Sequence, residues 1–279
     1  MKNYVKLVDF ELKRFIKIYF VLIGMTIVLQ IVGVILESRQ YLDKATEAMY
    51  EYSVPLMEFV GQNGKFGLHR VLETGYFMIP IGLSVAALIF YCFFIWYRDW
   101  FGKNTFVYRL LMLPTARLNV LLAKASAIFL MVLGLVGIQL ILLPIESTIL
   151  QWIVPLDLRI DMSVSELVGQ FGYGYLGLII PNSFIQFLIN YGIGFMHVFI
   201  LFTAILFERS FRLRGIVYGV IYYIAAQVLF LFPIMIEVFF ETGYLYPIEI
   251  FILEIILGLL VIGLSLWISN YLLNRKVTV

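Results

Sequence analysis

Apolar residues along this chain do not alternate with polar ones. They run in long uncharged blocks separated by short charged ones. The uncharged blocks cover residues 18–36, 76–97, 125–145, 167–207, 215–236 and 255–274. A hydrocarbon core about 30 Å thick is crossed by roughly 20 residues of helix, and each block meets or nearly meets that length. The pattern predicts an all-α integral membrane protein with six transmembrane helices, at about 18–36, 76–97, 120–145, 184–207, 215–237 and 250–274. The fourth block exceeds one span. Its first part reads as a surface or re-entrant piece, and Pro181 and Asn182 suit the break before the helix.

The segments between the blocks have patterns of their own. In residues 1–17, Lys2, Lys6, Asp9, Lys13 and Lys17 recur at steps of three and four, with Val5, Val8, Leu12, Phe15 and Ile16 largely opposite. That periodicity predicts an N-terminal interfacial helix lying on the membrane; a basic start that only sets topology needs the charge alone. In the long segment 37–75, residues 42–60 are apolar enough for a partly buried helix, and Gly61, Gly64 and Gly67 mark turns. Pro233 and Pro247 bracket the acidic link 237–249, where a bent helix end or a shallow re-entrant hairpin is expected. No repeat and no soluble domain interrupts the pattern, so residues 1–279 read as a single transmembrane domain.

Composition agrees. Only 14% of the residues are charged and 62% are hydrophobic, whereas soluble domains carry about 25% charged residues. A net charge of +2 argues against nucleic acid as a partner. The placement of Lys and Arg is more telling than their number. Fifteen fall in the N-terminal segment, the 98–124 segment, the 208–214 link and the C-terminus, and five (Arg39, Lys44, Lys65, Arg70, Arg159) fall in the other segments. By the positive-inside rule both termini are expected to be cytoplasmic, and the expected location is the cytoplasmic (plasma) membrane. The charged start with no cleavage site makes the first span an uncleaved anchor.

Candidate chemistry is sparse. Cys92 is the one cysteine and reads as a packing residue. His69 and His197 have no partner at metal-ligand spacing, and His197 is expected to hydrogen-bond a neighbouring helix. Gly102-Lys103-Asn104-Thr105 lacks the earlier glycine, the hydroxyl after lysine and the preceding strand of a phosphate-binding loop. No nucleophile elbow or acid pair lies within a span. The chain is expected not to be an enzyme and to hold no metal or cofactor. Glu146, Glu237 and Glu254 flank spans near the outer face, where an interfacial position is cheap, and receive no role. The 25 Phe and 18 Tyr would suit a cavity for hydrophobic cargo, but bundle packing explains the same count and is the favoured reading.

Segment 98–118 is the most informative. Asn104 or Thr105 can cap a short helix, Pro114 stops it about two turns later, and Thr115 can cap the next. That helix is expected to expose Phe106, Val107, Leu110, Leu111 and Leu113 between basic residues, as a knob for a groove on a soluble partner or as packing on the protein's own bundle.

These residues carry a resemblance. Arg98-Asp99, Gly102, Lys103-Asn104-Thr105 and then Tyr108-Arg109-Leu110-Leu111-Met112-Leu113-Pro114-Thr115-Ala116-Arg117, with Lys124 soon after, resemble the inner segment of the membrane subunit of ATP-binding-cassette transporters of the type-two exporter class. The likeness in topology covers the whole chain. It implies a permease for hydrophobic or amphipathic cargo (peptide, bacteriocin, drug or lipid). It also implies a separate cytoplasmic nucleotide-binding ATPase holding ATP and Mg, and a second permease subunit, identical or a sister. Arg98, Asp99, Thr105, Phe106, Arg109, Leu110, Leu111, Pro114 and Arg117 would couple the permease to that ATPase. The prolines around the last outer link resemble the lid hairpin of such exporters. The rival classes are an ion-coupled secondary carrier, which wants ionisable groups at mid-membrane, and a membrane scaffold or immunity protein.

Overall fold

The computed structural model describes residues 2–101, 106–170, 175–240 and 246–277. Among these the long elements are α1 (Lys2–Tyr50), α4 (Gly75–Trp100), α6 (Leu118–Ile153), α9 (Phe184–Phe211), α10 (Leu213–Phe240) and α11 (Pro247–Arg275). Short helices lie between them: α2 (Leu56–Asn63), α3 (Leu68–Leu72), α5 (Phe106–Leu111), α7 (Val164–Gln170) and α8 (Tyr175–Ile179). All six long helices contain a stretch apolar and long enough to cross a membrane. They display large apolar side chains outward, among them Val21, Phe90, Leu259 and Trp267. A water-soluble protein does not leave apolar surface on this scale uncovered; lipid-facing helices do.

The expected boundary between an interfacial helix and the first span is absent. α1 is one helix of 49 residues. Residues 2–50 contain no proline and only two glycines, Gly24 and Gly33, so nothing stops the helix. It ends where Ser53 adopts φ 52° and Pro55 follows. The single helix expected over 42–60 is therefore split between the end of α1 and α2. α10 passes through Pro233 and reaches Phe240. The expected hairpin falls largely on 241–245, outside the described residues.

The chain forms two compact units. One comprises 15–87 and 131–184. Its core joins Val34 and Tyr41 of α1, Phe59 of α2, Leu72 of α3, Phe77 of α4, Leu143 and Leu150 of α6 and Leu167 of α7. Within it α1 and α6 run side by side in the same direction, since Tyr19 Oη donates to the Met131 carbonyl at 3.0 Å and Gln30 Nε2 to Gln139 Oε1 at 3.1 Å. α1 meets α4 at Gly33, where a Cβ would stand 2.4 Å from Tyr76 Cβ. Above the helices, Phe66 exchanges backbone hydrogen bonds with Leu158 and Ile160, and Tyr41 Oη donates to the Gly64 carbonyl at 2.7 Å.

The other unit comprises 1–14, 88–130 and 185–279. Met196 and Ile200 of α9, Phe230 of α10 and Val261 of α11 form one apolar cluster. Small hydroxyls pin these helices. Thr203 Oγ1 lies 2.8 Å from Ser269 Oγ, and Tyr222 Oη lies 2.6 Å from Ser265 Oγ. Such interhelical bonds are the usual glue between spans, worth about 0.6 kcal/mol each on average. α9 turns directly into α10 through Arg212, at φ 55°. Only glycine fits at 215, because a Cβ would lie 2.0 Å from the Phe207 carbonyl oxygen.

Candidate coupling site

At the basic end of this second unit, five charged side chains form one buried network. Lys124 of α6 is fully buried and uses all three of its protons. They go to Glu11 Oε1 at 2.7 Å, Asp99 Oδ2 at 2.5 Å and the Ile95 carbonyl at 2.9 Å. Arg14 Nη1 reaches Asp99 Oδ1 at 2.6 Å, and Arg98 Nη2 reaches Glu11 Oε2 at 2.9 Å. Three cations thus surround two carboxylates, and α1, α4 and α6 are tied at one level. Burying charge is affordable only when every group is paired in this way. Lys124 also lies 5.3 Å from the Trp96 ring centroid.

Sequence reading did not assemble this network. It named Arg98, Asp99 and Lys124 but left out Glu11 and Arg14. The signal was present: Leu7, Val8, Glu11 and Phe15 fall on one buried face of α1, and an acid on such a face needs a cation opposite.

α5 packs against the same helix. Leu110 meets Leu7, Val8, Val120 and Ala123, and the Phe106 ring stacks on Phe10 with centroids 5.5 Å apart. Val107, Leu110 and Leu111 are buried, so the exposure expected of them is corrected. A six-residue helix cannot shield an apolar face alone, and α1 supplies the cover. Leu113 is exposed as expected. What α5 and its exit turn leave open are Arg109, Met112, Leu113, Pro114 and Ala116, with Met112 71% exposed.

The remaining named residues divide. Arg98 and Asp99 are engaged inside the network, so they are not available to set a docking register at the surface; Arg109 is. Arg117 donates to the carbonyls of Leu273 at 2.6 Å and Val277 at 3.2 Å, closing the C-terminal turn of α11. Thr105 and Asn104 lie outside the described residues. Thr115 does not cap α6, which begins at Leu118, and its Oγ1 is buried with no partner. His197 Nδ1 contacts the Ile193 carbonyl of its own helix at 2.8 Å, not a neighbouring helix. Cys92 is buried, in keeping with packing. Glu146 is fully buried within the protein in α6, and neither oxygen has a hydrogen-bond partner.

Six apolar helices of spanning length define a multi-pass helical membrane protein. No protein-family model, curated protein or solved structure matches the chain.

Proposed function

We propose that the chain is the permease subunit of an ATP-driven exporter in a bacterial cytoplasmic membrane. It moves hydrophobic or amphipathic cargo, is powered by a separate cytoplasmic ATPase that holds ATP and Mg, and works with a second permease subunit. One observation carries this reading. α5 is a short helix with one face wedged onto α1 and the other face, continued by Met112, Leu113 and Pro114, left open beside the ionic network. A connector between two spans needs neither a buried anchor nor an exposed apolar tip. A lever needs both.

In this mechanism the ATPase closes on ATP and presses on Arg109, Met112, Leu113 and Pro114. Leu110 and Phe106 pass the displacement to α1. The Glu11, Asp99 and Lys124 contacts pass it to α4 and α6 together. The states differ in their contacts with the ATPase, which is what shifts the equilibrium between them. Cargo would meet the apolar cleft between α9, α10 and α11, where Leu188, Ile193, Phe230, Phe251 and Leu259 surround a single acid, Glu254.

The test is M112D/L113D. The variant keeps its fold, because both side chains are exposed, and loses both co-purification of a stoichiometric ATPase from its own membranes and cargo transport. Retention of both refutes the reading. A second reading, an ion-coupled secondary carrier, is favoured by Glu146, an acid buried in a spanning helix without a partner. Reconstituted vesicles separate the two readings: the exporter needs ATP and its ATPase, whereas the carrier runs on an imposed ion gradient alone.

A further inference from the structure

Where α4 and α9 end and α10 begins, three buried polar groups have no partner: Trp100 Nε1, Arg209 Nε and Ser210 Oγ. All three can donate a hydrogen bond. Their residues line one open cavity of about 580 Å³, which Arg212 and Lys276 also border. The acid in that cavity, Glu208, is engaged, since it accepts from Tyr97 Oη and lies 3.7 Å from Arg209 Nη2. Arg209 sits among the rings of Tyr97, Trp100 and Phe101, with its guanidinium carbon 4.6, 5.6 and 5.4 Å from their centroids. The guanidinium is therefore fixed in place, while its Nε–H remains unused.

Buried donors without acceptors are rare, and each asks for an explanation such as an ion not yet in place. Here three belong to residues that line one cavity with three cations and one acid, and each donor atom lies just beneath the cavity wall. A basic link that merely sets membrane topology needs charge, not buried donors. The non-glycine residue Arg212 at φ 55°, on the rim, is the kind of backbone departure that collects at ligand sites. An apolar groove adjoins the cavity through Glu208 and Ile216 and continues along Phe93, Leu201, Val220 and Tyr223.

We infer that this cavity binds the phosphate of an anionic phospholipid, with an acyl chain lying in the adjoining groove. Arg209, Arg212 and Lys276 supply charge at the wall and rim, and small side-chain rotations bring the Trp100 and Ser210 donors to phosphate oxygens. Basic pockets between spans are suited to anionic headgroups, and a continuous apolar groove is what a soluble phosphate compound would not require. The inference is independent of the exporter reading, because the cavity reaches α5 at Tyr108, whose ring meets Trp100 edge-on, and is not lined by Arg109, Met112, Leu113 or Pro114.

The experiment is native mass spectrometry of the full-length protein in detergent, supplied with phosphatidylglycerol or with phosphatidylcholine. The expected result is selective retention of phosphatidylglycerol. In R212N/K276Q that retention weakens about thirty-fold, the weight of two cations near an anionic surface; asparagine tolerates the positive φ at 212. S210A weakens retention more modestly, and K17Q, a distant control, leaves it intact. Inorganic phosphate at millimolar concentration does not displace the lipid. Equal retention of the two lipids, or an unchanged R212N/K276Q, overturns the site. Displacement by inorganic phosphate overturns the lipid assignment in favour of a soluble anion.

Discussion

Lys124→Met removes the centre of the buried network while keeping the length of the side chain. The loss can be worked from the geometry. Lys124 makes two charge-assisted bonds, to Glu11 and Asp99, and one to a carbonyl. Bonds to charged groups contribute about 1.5–3 kcal/mol each, and leaving a buried charge without its partner costs about 3–5 kcal/mol. Arg14 and Arg98 still hold the carboxylates, which limits the loss to the lower part of the summed range. K124M should therefore cost about 3–5 kcal/mol. The exposed pair Lys13–Asp9, at 2.6 Å, is a comparison of the same chemistry outside the core. K13M should cost under about 0.5 kcal/mol, because water already solvates both partners. The assay is reversible unfolding in mixed micelles followed by near-ultraviolet circular dichroism. D99N alone should also be costly, and D99N/K124M should lose less than the sum of the single changes, since the two groups share one interaction. K124R should not rescue, because a planar fork cannot reproduce three donors spread to two carboxylates and a carbonyl in a fully buried site. K124M as stable as K13M would refute the claim that this network fastens α1, α4 and α6.

Gly33→Ala forces α1 away from α4, because its Cβ would stand 2.4 Å from Tyr76 Cβ; the expected cost in the same unfolding assay is about 1–3 kcal/mol, whereas Gly24→Ala, which meets open space, should stabilise α1 by about 0.5–1 kcal/mol. Ser163 and Glu166 form a reciprocal cap at the start of α7, with Ser163 N donating to Glu166 Oε2 at 2.7 Å and Glu166 N to Ser163 Oγ at 3.3 Å. The bonds from the Ser163 backbone and hydroxyl hold the Glu166 carboxyl below the usual range, so the cap's contribution is full above the unfolded value of about 4.3 and is lost as pH falls through the lower folded value; faster amide exchange in α7 below about pH 4, abolished as a pH effect in E166Q, is the expected reading.

The spans were legible because lipid imposes one simple rule, a long run without charge, and Gly75–Trp100, Phe184–Phe211 and Pro247–Arg275 contain the runs that obey it. Boundaries were less legible. Charged residues at 2–17 and 37–50 suggested that the first span was bracketed by other elements, yet helix formation is indifferent to whether a turn lies in lipid or water, and α1 continues through all three regions. The coupling segment was located by Pro114 and by its apolar periodicity, but periodicity gives only the existence of an apolar face, not what covers it. Whether Leu110 points to a partner or to the chain itself depended on Leu7 and Val8, more than a hundred residues away. The ionic network was hidden for the same reason: Glu11, Asp99 and Lys124 are separated by 88 and 25 positions, and no local pattern links them.

Buried polarity is handled differently around Lys124 and around Gln30, and this difference bears on what each place does. Around Lys124 every buried charge has a counterion, so the network behaves as a fastener that resists opening. In the other unit Gln30 and Gln139 share one bond and leave Gln30 Oε1 and Gln139 Nε2 unused, while Ser38 Oγ and both oxygens of Glu146 are buried with no partner. Ser38 lies eight residues beyond Gln30, and Glu146 seven beyond Gln139, on helices that run in the same direction. The parallel register therefore brings these groups to about the same height. Each unpartnered group costs about 1–3 kcal/mol where it stands. A conformation that admitted water to this level would recover that cost, whereas around Lys124, where Arg98 Nε and Trp96 Nε1 are also without a partner, opening would part the ion pairs of Glu11 and Asp99. The energetic bias follows directly: the basic end of α1, α4 and α6 moves as a bound set, and the stretch between Gln30 and Ser38 is where separation of α1 from α6 is least opposed.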